Sequence, residues 1–185
     1  MILVSALFLL QCTAKTSEPS DVTADKAPVE DQPSKASDPW QVIAVKDDFG
    51  DVIKGKSTVA AEFKGTMANS ATANAPLTVR LQVTPDSVLI AQFFEYNKGP
   101  AAKLPPNEYV NIKIKPSSGE TMELKLIMFQ DMLVDSDRKL LNLLRSEKLP
   151  IKVIVDLSKL YDKSQNTAYN FSIDPAGLKE AMRNR

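Results

Sequence analysis

The sequence predicts a mainly β domain, an antiparallel β-sandwich of about eight strands with two short helices, and three observations carry that expectation. Apolar residues recur at every second position in seven separate runs, the period of strands with one buried face. Turn-forming residues separate the runs, as in Phe49-Gly50-Asp51, Thr84-Pro85-Asp86-Ser87, Pro105-Pro106-Asn107 and Pro116-Ser117-Ser118-Gly119. A helical period occurs only twice, too rarely to place a helix between every pair of strands as a parallel sheet requires.

Taken in order, Trp40-Val42-Ala44 alternates with Gln41-Ile43-Val45, Val59-Ala61-Phe63 with Thr58-Ala60-Glu62, and Leu77-Val79-Leu81-Val83 with Thr78-Arg80-Gln82. Val88 to Tyr96 departs from the alternation: it is apolar on both faces, which predicts a central strand covered on each side. Val110-Ile112-Ile114, Met122-Leu124-Leu126-Met128, Ile151-Val153-Val155-Leu157 and Tyr169-Phe171-Ile173 supply the remaining strands. Phe93, Phe94 and Phe129 sit in the most apolar of them and are expected in the core. The first helix is expected over about 136–147, where Asp135-Ser136-Asp137 offers capping oxygens and Leu140, Leu141, Leu143 and Leu144 form a stripe that ends at Lys148 and Pro150. The second is expected over 175–184, with Asp174 as N-cap, Pro175 at the first helical position, Leu178, Ala181 and Met182 at helical spacing, and Arg183 and Arg185 favouring the C-terminal dipole.

The inventory of reactive side chains is short. The 185 residues include no His and one Cys, so Ser-His-Asp and Cys-His catalysis, His-ligated zinc or haem, and imidazole proton transfer are excluded. No Gly-rich phosphate loop, CxxC pair or nucleophile elbow occurs. The chain is therefore expected not to be an enzyme and to need no cofactor. Carboxylate or Ca²⁺ chemistry is the one catalytic class left open. Its nearest candidate is Asp47-Asp48-Phe49-Gly50-Asp51, where Asp47, Asp48 and Asp51 could hold Ca²⁺ or could serve a hairpin turn by bonding local amides. With 23 basic and 23 acidic residues, no global charge points to nucleic acid.

Two loops are candidate contact regions for a ligand or partner. Gly65 to Pro76 is small and polar and holds Asn69, Ser70 and Asn74; Tyr96 to Tyr109 sets Lys98 and Lys103 between two aromatics. Both are also read as ordinary surface connections. Arg80, Lys113 and Lys125 could share an exposed sheet face, or guard against strand-to-strand aggregation.

The N-terminal fifth is of another kind. Met1 to Leu10 is almost wholly apolar, but half the roughly twenty residues needed to span a bilayer. Such a run fits the apolar region of an export signal. Leu9-Leu10-Gln11-Cys12 resembles the lipobox of bacterial lipoproteins, with Leu9 three positions before the cysteine and Gln11 where a small residue is usual. The resemblance implies a signal peptide over 1–11, lipidation of Cys12 as the mature N-terminus, and a membrane anchor. Thr13 to Asp38 follows with six acids against three lysines, many Ser, Thr, Ala and Pro, and little apolar bulk, a composition expected of a disordered tether over 12–38. Residues 39–185 are then a single domain.

Trp40 at the domain start, a hairpin series, a helix, a strand, and Tyr169-x-Phe171-x-Ile173 leading through Gly177 into a closing helix resemble exported β-sandwich proteins of the invasion-associated locus B type and relatives in type VI secretion. The layout also resembles envelope lipoproteins of the Bacteroidetes. The expectation is an outer-membrane-anchored envelope protein, periplasmic or surface-facing, with a non-catalytic binding or assembly role toward another envelope protein. A glycan- or peptide-binding lipoprotein is the alternative, and a carboxylate- or Ca²⁺-dependent enzyme the second.

Overall fold

A computed structural model describes residues 38–96, 108–117, 119–158 and 167–185. Nine strands run in the order β1 Gln41–Lys46, β2 Val52–Ala68, β3 Ala75–Val83, β4 Leu89–Glu95, β5 Tyr109–Lys115, β6 Met122–Phe129, β7 Met132–Asp135, β8 Ile151–Asp156 and β9 Ala168–Ile173. Helix α1, Lys139–Ser146, separates β7 from β8, and α2, Leu178–Arg183, follows β9.

The sheet closes on itself. Its order is β1-β2-β3-β4-β7-β6-β5-β8-β9, and β9 pairs back onto β2, so eight strands from β2 to β9 form an antiparallel barrel with β1 added outside the ring. The expected sandwich is thus corrected to a barrel, while the mainly β character and the two helices stand. The physical reason is that a period of two reports one buried face, and a sheet can bury that face against a second sheet or by curling around it. Two features decide for curling. β7, only four residues long, fills the gap between β4 and β6 and was absent from the expected strands, since Met132 to Asp135 shows almost no alternation and runs into the helix-cap signal. Gly65 lets β2 bend into β9: it pairs with Leu77 on one side and Phe171 on the other, and a Cβ there would lie 2.5 Å from the Asn170 carbonyl oxygen and 2.7 Å from the Phe171 Cβ.

Inward positions alternate as the sequence predicts along most strands. Val59, Ala61, Phe63 and Met67 of β2, Leu77, Val79, Leu81 and Val83 of β3, and Ile151, Val153 and Val155 of β8 all join one core. Tyr169 of β9 stacks on Phe93 of β4 with centroids 4.8 Å apart, and Phe171 meets Phe93 edge-on at 6.0 Å. An eight-stranded barrel leaves an interior that side chains can fill, and these side chains fill it. β4 is accordingly not sandwiched between layers. Phe93 points inward, whereas Phe94 lies on the outer wall beneath the Arg80 guanidinium, 5.1 Å from its ring centroid, and Phe129 is exposed, which corrects the expectation that all three are core.

Both helices sit at the end of the barrel where β7 and β9 finish. Leu140, Leu141 and Leu144 of α1 and Leu178 and Ala181 of α2 are buried in the barrel core, closing that end. The helices are shorter than expected. Arg138 stands before α1 in the left-handed region and Gly177 does so before α2, at φ 78°. Asp174 therefore caps no helix; its Oδ1 accepts the Ala176 N–H at 2.9 Å, and Pro175 lies in the turn ahead of α2. Arg185 clasps the β3–β4 turn at the same end, donating to the Thr84 carbonyl and the Ser87 hydroxyl at 2.8 and 2.7 Å.

Trp40 closes the corner where β2 leaves β9 and takes up β1. Its ring packs edge-on against Phe63 at 5.7 Å and its indole N–H donates to the Asp174 carbonyl at 2.8 Å. No helix among the described residues is long and apolar enough to cross a membrane.

Candidate functional site

The residues marked by sequence gather mainly in two turns, and the structure adds a third arrangement. Asp47, Asp48 and Asp51 form the β1–β2 turn. Asp47 Oδ1 accepts the N–H groups of Phe49 and Asp51 at 3.0 and 2.9 Å, and Gly50, at φ 89°, donates to the Asp47 carbonyl. One carboxylate of the three is thus engaged in shaping a hairpin with a left-handed glycine. Among the described residues, no three His, Cys, Asp or Glu side chains converge to hold a metal ion.

The second group lies at the barrel end opposite the helices. β2 continues through Ala68, so the connection to β3 spans only residues 69–74, shorter than the twelve-residue loop read from sequence. Asn69 Oδ1 accepts the N–H groups of Ala71 and Thr72, each at 2.9 Å, and Asn74 adopts φ 59°. Ser70 is exposed. Tyr96 adjoins this turn, donating its N–H to the Pro76 carbonyl at 3.1 Å. Tyr109 is at the same end but starts β5, which β7 and β6 separate from β4. Asn69 is occupied in making the turn, and the tyrosines do not form one patch with it. Lys98, Lys103 and Cys12 lie outside the described residues. Lys113 and Lys125 do face outward on adjacent strands, diagonal to each other, whereas Arg80 is on β3, across the ring.

The third arrangement was not legible in the sequence. An open groove of about 630 Å³ runs along the outer wall of β1, β2 and β3, lined by Pro39, Gln41, Ile43, Thr58, Ala60, Glu62, Arg80 and Gln82. Its floor is low because the outward residues of β2 here are the small Thr58 and Ala60, and its sides are the longer outward residues of β1 and β3. Arg80 closes one end: Nε and Nη2 both donate to Glu62 Oε1, at 3.0 and 2.6 Å, with the guanidinium against Phe94. Two carboxamides, a hydroxyl and a fixed ion pair beside Ile43 and Pro39 suit an extended polypeptide. The groove contains no nucleophile paired with a base.

The same three strands continue as a ribbon. Pairing of β2 with β3 ends at Val59 opposite Val83, so Val52 to Ser57 run on past β3 with β1 as their one strand partner among the described residues. Val42 is 41% exposed, Ile43 49% and Phe49, at the tip, 93%. β1 was expected to be half-buried; only Trp40, just ahead of it, is buried, because β1 stands outside the ring and has no core to face.

Two buried polar groups elsewhere serve the fold. Asp135, 1% exposed, accepts the Leu141 N–H on Oδ2 at 2.9 Å, while its Oδ1 has no hydrogen-bond partner among the described residues. Burial pushes its carboxyl above the ordinary value, against the pull of the N–H groups of Leu141, Leu140 and Lys139 and with a smaller push from Asp137. It satisfies the opening turn of α1 from the end of β7. Tyr169 donates its hydroxyl to Glu95 Oε1 at 2.7 Å at the barrel end opposite the helices.

The signal that could have exposed the ribbon is Gly65. A glycine on the inward period of a strand marks a bend or a close backbone approach, and a bend there divides one edge of β2 between two partners. Compared with known proteins, the chain matches no family model, no curated protein and no solved structure.

Proposed function

We propose that this chain is a lipid-anchored cell-envelope protein whose barrel has a non-catalytic binding or assembly role, met through the groove and ribbon of β1 to β3. The observation that carries this reading is β1 itself, an apolar strand outside a closed ring, with most of its side chains exposed and one edge unpaired among the described residues. Long apolar edges are usually shortened, charged or covered, and a strand left uncovered beside a groove is a ready surface for an extended segment. The anchor rests on Leu9-Leu10-Gln11-Cys12 and on the acidic, Pro-containing residues 13–38, a layout that holds a domain off a membrane.

Two measurements test it. The intact mass of the chain extracted from membranes is expected to begin at Cys12 with added acyl mass; an unmodified chain beginning at Met1 overturns the anchor. A photo-cross-linking residue placed at Ile43 in intact cells is expected to return a reproducible protein adduct that the same residue placed at Lys125, exposed on β6 across the ring, does not. Equal yields from both positions overturn the binding role of the ribbon.

A further inference from the structure

We infer that the partner of β1 is β1 of a second copy, paired antiparallel across a two-fold axis so that two barrels join edge to edge. The inference rests on the reading of the ribbon as the binding surface and names its occupant.

Each of the eight ring strands has a neighbour on both sides, whereas β1 has only β2 among the described residues. The Thr58 hydroxyl donates to the Ile43 carbonyl at 3.4 Å, which places that carbonyl on the β2 side. Backbone groups alternate along an antiparallel strand, so Val42 and Ala44 direct their N–H and C=O groups to the open edge.

A two-fold axis perpendicular to the sheet sets residues of the same face opposite each other. With Ile43 opposite Ile43 of the mate, Val42 falls opposite Ala44 and exchanges both hydrogen bonds with it, and Gln41 falls opposite Val45. No charge meets a like charge in this register, and the exposed Val42 and Ile43 side chains become covered. The edge is therefore complementary to itself, which an unrelated segment is not required to be. Lys46 and the shift of register between Ala44 and Lys46 are devices that stop strand addition. The shift takes in Val45 and Lys46 follows it, so both fall at the end of the paired stretch and limit regular pairing to the few residues around Ile43, and the sheet joins one mate over a short length. Such a contact is smaller than the roughly 1,200–2,000 Å² of stable interfaces, and a shared membrane anchor would supply the local concentration it needs.

Partners in a non-hydrogen-bonded antiparallel pair lie about 4.5 Å apart at Cα, within disulfide reach of about 4.4–6.8 Å. The test uses the full chain in native membranes with Cys12 kept, since a lipidated Cys12 carries no free thiol, and reads each rate above the dimer formed by the chain with no introduced cysteine. Under mild oxidation Ile43→Cys is expected to form a dimer at least tenfold faster than Phe49→Cys, although the tip residue is the more exposed. Adding Val42→Pro, which removes an outward N–H from an edge strand that tolerates proline, is expected to abolish that advantage with an unchanged thermal melt. Equal rates at the two positions, or an Ile43→Cys rate unaffected by Val42→Pro in a protein that still melts normally, overturn self-pairing. A photo-adduct from Ile43 that contains only a different protein also overturns it while leaving the binding role standing.

Discussion

One edge of β2 is treated in two ways along its length. From Gly65 to Ala68 it pairs with β9, and the side chains facing inward, Met67, Tyr169 and Phe171, are buried. From Val52 to Ala60 the same edge pairs with β1, whose own far edge pairs with no strand among the described residues. Composition does not separate the two stretches, since both partners are apolar. What separates them is closure: β9 lies between β2 and β8 with a core behind it, and β1, among the described residues, has a strand neighbour on one side only. Burial here follows from position in the ring rather than from hydrophobicity alone, and the places where the ring can be opened are correspondingly few.

The largest effect is expected inside the ring. Phe93→Ala removes the stack on Tyr169 and the edge contact with Phe171, and should cost about 3–5 kcal/mol, read from the denaturant midpoint. Gly65→Ala strikes the closing point itself. Its Cβ meets backbone and a Cβ rather than the end of a flexible chain, so a loss of about 1–3 kcal/mol is expected, with amide exchange quickening in β9 before it does in β5. A protein unchanged by Gly65→Ala would show that β2 and β9 are not in close contact there.

Asp135 probes the helix-covered end by pH. Its carboxyl is raised above the ordinary 3.8 in the folded chain, so the fold holds that proton more tightly than the unfolded chain does. The resulting stability is fully present below the ordinary value and is lost as pH rises through the raised one. Asp135→Asn keeps an oxygen for the Leu141 N–H and should remove that slope from the pH profile of the melting temperature; a slope that persists assigns it to another group. At the other extreme, Phe49→Ala on the ribbon should change stability by less than about 0.5 kcal/mol, because the side chain is almost wholly in solvent. A larger loss would mean that the tip is covered.

Much of the wall was legible in the sequence. Val59-Ala61-Phe63, Leu77-Val79-Leu81 and Val110-Ile112-Ile114 alternate because each has one face in the core, and that is the property periodicity reports. Closure was not legible, because pairing of β9 with β2 is a relation between residues about a hundred positions apart and leaves no local pattern except Gly65. β7 escaped for the opposite reason: four residues are too few to establish a period, and Asp135 at their end reads as a cap, which it also is. The groove and the open edge of β1 depend on which strands are neighbours, so they became visible only with the topology. Asp47 and Asn69, read from the sequence as candidates for Ca²⁺ and for ligand contact, turn their oxygens onto the N–H groups of nearby turn residues.

Trp40 gives the molecule an internal reporter. It is the chain's one tryptophan, and its indole meets Asp174, 134 positions away, at the corner where the ring shuts. Contacts between such distant residues carry the largest loop-closure cost and form late. In stopped-flow refolding the emission of Trp40 should therefore lag the far-ultraviolet signal of the strands, timing ring closure without any added label.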